Sequence, residues 1–200
     1  MLTAGNARFM ADERAHPHQD VHFRHRIAAK QNPFAIFFGC ADSRVAAEII
    51  FDQGLGDLFV IRVAGNIVAP SQVGSVEYAA ERFGTRLVVV LGHSQCGAIL
   101  ATLDELQRPA ESQSPNLRSI VDRVRPSVAA LLDTPLKHDL NALVGHAVRA
   151  NIRASADHLR HGSALLEQLI ARDGLLVVGA EYSLETGRVE FFDGVSESRL

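Results

Sequence analysis

Two short stretches of the sequence carry residue types that could do chemistry, and together they contain both cysteines of the chain. The stretch "CADSR" (40–44) places a thiol, a carboxylate and a guanidinium at alternate positions, and "HSQC" (93–96) places an imidazole three residues before the second thiol. Thiolates, imidazoles and carboxylates are the groups that zinc takes from proteins. The two stretches therefore predict a zinc site with the ligands Cys40, Asp42, His93 and Cys96.

The two thiols also admit other interpretations. A single cysteine at the end of a strand is commonly a small buried hydrophobic residue, and a redox disulfide between Cys40 and Cys96 is a second alternative. The disulfide would leave His93 and Asp42 without a role. Because two cysteines are too few for a disulfide framework in a chain of 200 residues, we expect a reducing compartment and favour metal binding.

Alternating strands and helices must position these residues. Short apolar runs rich in β-branched and aromatic residues are typical of buried strands. Four such runs are "FAIFFG" (34–39), "DLFVIRV" (57–63), "LVVVL" (87–91) and "LLVVGAEY" (175–182). Helix-period segments separate them, and this alternation predicts an α/β fold with a mainly parallel sheet flanked by helices.

The remaining elements complete a single predicted domain over 1–200. The segment 71–84 is expected to form a helix whose apolar face comprises Val73, Val76, Ala80 and Phe83. We expect a helical arm over 1–30, a zinc-binding core over 34–100, a helical region over 101–172 and the final strands over 175–194. The last strand follows a turn at 185–187 and is expected to be an antiparallel edge strand.

The predicted topology brings the chemical residues together. Cys40 follows the first strand, while His93 and Cys96 follow the third, so all three lie at carboxyl ends of strands, where open α/β sheets hold their binding crevices. If the first and third strands are neighbours, in the order 2-1-3-4, the loops after them converge. The donor atoms would then meet although they are far apart in sequence.

Composition and charge exclude several classes of protein. With 47% apolar residues the chain can bury a sizeable core, and a formal charge of −3 gives no overall basic field for nucleic acid or anionic lipid. The apolar runs are far shorter than the roughly 20 residues of a membrane span. The first 30 residues lack the apolar core of a secretory signal. We therefore expect a cytoplasmic protein without nucleic-acid or membrane partners.

Other histidines and arginines are interpreted as surface residues. His16, His18, His22 and His25 lie close together near the start of the chain, but without a neighbouring cysteine we interpret them as a solvated polar arm. The arginines of the helical half, including Arg149, Arg153 and Arg160, are interpreted as a solvated helix face.

The stretches "CADSR" (40–44) and "HSQC" (93–96) resemble the paired signature of beta-class carbonic anhydrases of the bacterial type. Further blocks resemble the family in order and spacing; they are "GNARF" (5–9), "GDLFVIRVAGN" (56–66), "GSVEYA" (74–79) and "GAEYSLETGRVEFF" (179–192). The resemblance is strong over 34–100 and weaker over 105–170.

The resemblance implies a function. It implies one zinc ion per chain held by Cys40, His93 and Cys96, with Asp42 and Arg44 as a catalytic dyad that orients a zinc-bound hydroxide. The implied reaction is the reversible hydration of carbon dioxide to bicarbonate and a proton. Asp42 is either a fourth zinc ligand, which would close the site, or the partner of Arg44, which would leave it open.

The resemblance also implies a homo-oligomer, a homodimer or a homotetramer built as a dimer of dimers, with the N-terminal helix packed across the partner subunit. Arg62 and Tyr182 match two of three residues that bind a regulatory bicarbonate in some bacterial relatives, and Phe37 replaces the third, a Trp. Two alternative functions are a zinc hydrolase of a related small heteroallene, such as carbon disulfide, and a non-catalytic zinc or redox protein.

Overall fold

The computed structural model describes residues 1–108 and 114–195, so parts of the predicted helical region and the last five positions, 109–113 and 196–200, lie outside the described residues. The strands are β1 (Ala35–Gly39), β2 (Leu58–Arg62), β3 (Leu87–His93), β4 (Leu176–Tyr182) and β5 (Val189–Asp193). They form one sheet in the order β2-β1-β3-β4-β5. The first four are parallel and β5 is an antiparallel edge strand, which confirms the predicted topology.

Helices surround this sheet. They are α1 (Leu2–Met10), α2 (Val21–Ile27), α3 (Ala47–Ile50), α4 (Pro70–Arg82), α5 (Gly97–Gln107), α6 (Pro115–Val128), α7 (Leu140–His161) and α8 (Ala164–Arg172). Short 3₁₀ helices occupy Ala64–Asn66, Ala129–Asp133 and Pro135–His138. The helix expected over 71–84 is α4, and Gly84 after it has a positive φ of 68°, which suits a helix stop. Among the described residues, none of the helices combines the length and the apolar character that a membrane crossing requires.

Both faces of the sheet are buried, which explains why its central strands are continuously apolar. Alternate residues of β1 point to opposite sides: Ile36 and Phe38 join the core beneath α4, α5 and α7, whereas Phe37 joins a second core beneath α1 and α3. All five residues of β1 are buried. The first strand is therefore held rigidly from both sides, directly before the first predicted zinc ligand.

The N-terminal helix packs against its own chain. Nine residues are too few for a stable isolated helix, so α1 needs a surface to pack on. It packs on α3 and on the turn between β4 and β5. The helix approaches so closely that a Cβ atom added at Gly5 would lie 1.8 Å from the carbonyl oxygen of Phe51, so only glycine fits at this position. Asn6 is buried at this contact, and its side chain bonds the backbone at Ile50, Gly187 and Val189.

We expect Asn6→Ala to destabilise the protein by about 1–3 kcal/mol, because it leaves buried backbone groups without a partner. Two donated bonds, of 3.2 and 2.8 Å, and one accepted bond of 2.9 Å would be lost. Chemical denaturation measures the change. Asn141→Ala, at an exposed position of α7, is the matched control. Equal stability of the two variants would mean that the Asn6 contacts contribute nothing to the fold.

The rest of the N-terminal arm agrees with its interpretation as polar surface. His16, His18, His22 and His25 are all exposed. His18 stacks on Phe23 at 4.1 Å between ring centroids and its Nδ1 lies 2.8 Å from a carboxylate oxygen of Asp57. The arm is therefore fastened to the body of the chain by an ordinary surface contact.

The interpretation of the helical arginines as a solvated face is wrong for Arg149 and Arg160. Arg149 donates to the carboxylates of Glu181 and Glu190, and Arg160 donates to Asp193 at 2.6 Å and to a backbone carbonyl of β4. The physical reason is that β5 adds to the sheet beside α7, which places carboxylates of β4 and β5 within reach of the helix. These arginines fasten the edge strand to α7.

Candidate metal centre

The structure brings three of the predicted ligands together at the carboxyl ends of two neighbouring strands. Cys40 directly follows β1, His93 is the last residue of β3, and Cys96 caps the N-terminus of α5. The ladder between the two strands pairs Gly39 with Leu91, which sets the loops side by side. Parallel pairing of adjacent central strands is thus the cause of the convergence.

The donor atoms of these residues form a compact buried cluster. One donor atom each from Cys40, His93 and Cys96 lies within 4.8 Å of the other two, and the two sulfur atoms are 4.0 Å apart. No other group of at least three potential metal ligands occurs in the part of the chain that the structure describes. Two sulfurs and one nitrogen at these separations fit the edges of a zinc coordination tetrahedron.

The imidazole of His93 is oriented for metal binding. Its Nδ1 lies 2.8 Å from the carbonyl oxygen of Ser94, so this nitrogen carries the proton and donates it, which leaves Nε2 as an acceptor. Nε2 is the single buried side-chain polar atom without a hydrogen-bond partner among the described residues. A buried polar atom without a partner is costly, and a metal ion at the centre of the cluster would satisfy it. The residues present therefore fit zinc.

The charges of the site also favour a cation. A hydrogen bond from the Cys96 thiol lowers the pKa of Cys40 against the opposing effect of burial, and His93 adds to this. The bond to Cys40, together with burial, raises the pKa of Cys96. Burial opposes a charge on His93, but the Cys40 thiolate outweighs it and raises the pKa of the imidazole. Burial and the Cys40 thiolate thus favour the protonated form of Cys96, whereas a dication between the two sulfurs would favour both thiolates.

Asp42 turns toward Arg44. Arg44 Nε lies 2.9 Å from Asp42 Oδ1, Arg44 Nη2 lies 2.8 Å from Oδ2, and the Arg44 backbone N–H also bonds Oδ1. The hydrogen bonds from Arg44 hold the pKa of the Asp42 carboxyl well below its usual range. Oδ2 nevertheless lies only 3.9 Å from Nε2 of His93. Of the two arrangements left open by the sequence, the structure has the one with Asp42 paired to Arg44.

Further residues hold the ligand loops, in roles that the sequence analysis did not assign to them. Arg62 donates from Nε to the carbonyl of Cys40 at 3.0 Å and from Nη2 to the carbonyl of Asp42, so it fixes the loop after β1. Ser94 donates to Glu185 at 2.8 Å and accepts the N–H of Leu184, so it ties the loop after β3 to the turn before β5. Arg62 ends β2 and Ser94 directly follows β3, so both lie at the carboxyl edge of the sheet, which was the available signal.

A narrow cavity lies beside Cys40 and is lined mostly by apolar side chains, among them Phe37, Val45, Val60 and Leu91. Val45 is buried in the wall of this cavity. Arg62 borders the same cavity and points its guanidinium at the backbone of the ligand loop. With a volume of about 10 Å³ the cavity has room for no more than a water-sized molecule, so it marks an apolar wall beside the cluster.

The 3₁₀ helix at 64–66 approaches the cluster from the side of β2. The backbone N–H of Gly65 donates to Cys40 Sγ at 3.4 Å. Asn66 beside it is buried and bonds to Ser155. A Cβ at Gly97 would meet nothing within 4 Å, so no neighbouring atom requires glycine at that position.

Comparison with known proteins places this arrangement in a family. The family model described as carbonic anhydrase matches residues 35–189. Carbonic anhydrase 2 of Mycobacterium tuberculosis is 41% identical over 196 residues, which cover 97% of this chain and 91% of that protein. The beta-carbonic anhydrase CcaA superposes with a TM-score of 0.75 at 28% identity, covering 86% of this chain and 85% of that one. One of two tetrameric beta-carbonic anhydrases from Sordaria macrospora gives a TM-score of 0.74 at 26% identity, with 94% and 93% covered. The chain therefore belongs to the beta-carbonic anhydrase family.

Proposed function

We propose that this chain catalyses the zinc-dependent, reversible hydration of carbon dioxide to bicarbonate and a proton. The observation that carries the proposal is the buried cluster of two sulfurs and the unpartnered Nε2 of His93 in a chain of this family. Cys40, His93 and Cys96 would hold one zinc ion. When bound, zinc supplies a Lewis acid that lowers the pKa of water and so provides a nucleophile near neutral pH.

The Asp42–Arg44 pair orients the attacking water in this proposal. Arg44 donates a hydrogen bond to each carboxylate oxygen of Asp42. Asp42 is therefore kept away from the three donor atoms, and the fourth coordination position of a zinc ion held by them would stay accessible to water. The short distance from Asp42 Oδ2 to Nε2 of His93 places a carboxylate oxygen at the edge of the cluster. That oxygen can accept a hydrogen bond from water and turn one of its lone pairs toward carbon dioxide.

Apolar side chains beside Cys40 supply a wall for carbon dioxide in this proposal. Carbon dioxide has no net dipole and no hydrogen-bond donor, so side chains such as Val45, Val60 and Leu91 suit it better than they suit water. Bicarbonate is charged and binds poorly to such a wall. These side chains therefore favour contact with carbon dioxide over contact with bicarbonate.

Stopped-flow measurement of carbon dioxide hydration tests the proposal. The protein is assayed for metal first, then measured at about pH 7 and about pH 8.5, a range chosen to cross the ionisation of water at a zinc site. Activity that is lost after chelation and restored by zinc is the expected result. Hydrolysis of carbon disulfide without carbon dioxide hydration would favour the heteroallene hydrolase, and zinc binding without either reaction would favour a structural or redox site.

We further propose that the chain works in the cytoplasm as a homodimer or a dimer of dimers. The support is the tetrameric state of the Sordaria relatives together with exposed apolar side chains on the described surface, such as Ile49, Leu55 and Tyr78. Analytical ultracentrifugation should give two or four times the chain mass. A monomer at micromolar concentration would contradict the assembly without touching the proposed reaction.

A further inference from the structure

The turn at 64–66 has an unusual backbone for its position beside the cluster. Gly65 has φ 68° and ψ 17°, and the next residue, Asn66, also has a positive φ of 42°. A Cβ at position 65 would lie 3.0 Å from the side chain of Ala98, so only glycine fits there without displacement. The turn is closed locally by the N–H of Asn66, which donates to the carbonyl of Val63 at 3.0 Å. The carbonyls of Gly65 and Asn66 take no part in that bond and need contacts from elsewhere.

Helix α7 provides those contacts. The Asn151 side chain donates from Nδ2 to the carbonyl of Gly65 at 2.8 Å, and the Ser155 hydroxyl donates to the carbonyl of Asn66 at 2.9 Å. The two side chains are one helical turn apart on the same face of the helix, and both residues are buried, with 3% and 5% exposure. They are polar residues on a face that otherwise packs in the core, and the carbonyls of the turn are their partners.

These bonds also restrict the neighbouring peptide group, whose Gly65 N–H donates to Cys40 Sγ at 3.4 Å. Because the peptide groups after Gly65 and Asn66 are fixed to α7, any change in the direction of the Gly65 N–H must be absorbed at Gly65 itself. An N–H bond to a ligand sulfur stabilises the thiolate and reduces the electron density that it gives to a metal. The helix is thus connected to the metal centre through one backbone turn.

We propose that Asn151 and Ser155 are positioning residues of the metal centre, which slow metal release and tune the Cys40 thiolate by locking the turn at 64–66 against Cys40. Neither side chain touches the ligands, substrate or reacting atoms. The inference rests on the proposed zinc site and extends it to residues of α7. No other part of the described chain supplies hydrogen bonds to these two carbonyls.

Zinc release tests this role. Wild type, Asn151→Ala and Ser155→Ala are loaded with zinc, and the transfer of zinc to a chromogenic chelator is followed in time. Loss of such an outer contact typically weakens a metal site by roughly 10- to 100-fold, and we expect zinc release to be faster by that factor in Asn151→Ala. Ser155→Ala removes one hydroxyl and introduces a strong helix former, so it keeps the test usable if Asn151→Ala does not fold.

A spectroscopic measurement distinguishes loss of the hydrogen bond to Cys40 from a general loss of stability. In the cobalt(II)-substituted protein, a thiolate that loses its N–H bond becomes a stronger donor, so the sulfur-to-cobalt absorption band should move to longer wavelength in both variants. Ser163→Ala is the matched control: Ser163 is buried and its hydroxyl caps α8, accepting the N–H of Leu166 at 3.1 Å, without contact to the turn. The control should lose stability but keep the wild-type release rate and band.

The outcomes are distinct. Wild-type release rates and bands in both α7 variants would overturn the positioning role, as would the same changes in Ser163→Ala. A wild-type protein that binds no zinc would instead overturn the proposed function. The two failures are distinguishable because the positioning role is measured only in protein that has been loaded with zinc.

Discussion

Replacing Cys40, His93 or Cys96 with Ala is expected to release most of the zinc and to reduce carbon dioxide hydration to the uncatalysed rate. Each residue supplies one of three donor atoms that lie within 4.8 Å of one another, and a zinc site with two protein ligands left binds the ion weakly. Metal analysis should fall from about one zinc per chain to a small fraction of that.

The control for these variants is His146→Ala, which removes an exposed imidazole of α7 outside the cluster. It should retain both zinc and activity. Because the ligands are buried, circular dichroism of each variant is compared with that of chelator-treated wild type, which separates metal loss from unfolding. Full zinc occupancy in all three ligand variants would show that the metal binds elsewhere.

The second large effect is expected at the Asp42–Arg44 pair. Asp42→Asn should keep its zinc through the other three donors and lose rate by roughly 10²- to 10⁴-fold, because a neutral amide is a poorer acceptor for the proton of water. Arg44→Ala should also keep zinc and lose activity near neutral pH. Without Arg44, which donates at 2.8 and 2.9 Å, the carboxylate loses its orientation and is free to move onto the metal.

A matched control for this pair exists in the N-terminal arm. Asp12 and Arg14 have the same spacing in sequence and form an ion pair of 2.9 Å, and Arg14 otherwise contacts the ring of Phe9. Arg14→Ala should leave kcat unchanged. Arg44→Lys restores the charge but not the two-point contact, and we expect only partial recovery of activity. If Arg44→Ala matched wild type, the pair would be a structural ion pair and not part of the catalytic machinery.

The strands and the meeting of the ligands could be predicted because they depend on local pattern and simple topology. Continuous apolar runs are what a sheet buried on both faces requires, and β1 and β3 formed where such runs lie. Cys40, His93 and Cys96 lie at or just after the carboxyl ends of β1 and β3, and adjacent parallel strands end at the same edge of a sheet. Their convergence therefore followed from the strand order alone.

The remaining contacts depend on long-range geometry that a single sequence does not encode visibly. Asp42 had two possible partners, and only the position of its carboxylate relative to Arg44 and His93 distinguishes them. Asn151 is 86 positions from its partner Gly65. Its polar side chain on a buried helix face was the one available signal. Arg149 likewise pairs with carboxylates 32 and 41 positions away, on strands whose placement beside α7 is a property of the whole fold.

The position of Cys40 and His93 at the ends of neighbouring inner strands sets how a bound metal would relate to the fold. Backbone pairing of β1 with β3 and burial of both sheet faces position the residues that carry the donor atoms. In a zinc finger, the binding free energy of the metal is the folding free energy of the domain. In this chain the frame is a buried sheet, so a metal held by Cys40, His93 and Cys96 would add stability by mass action. We therefore expect chelation to lower the stability of the protein without unfolding it.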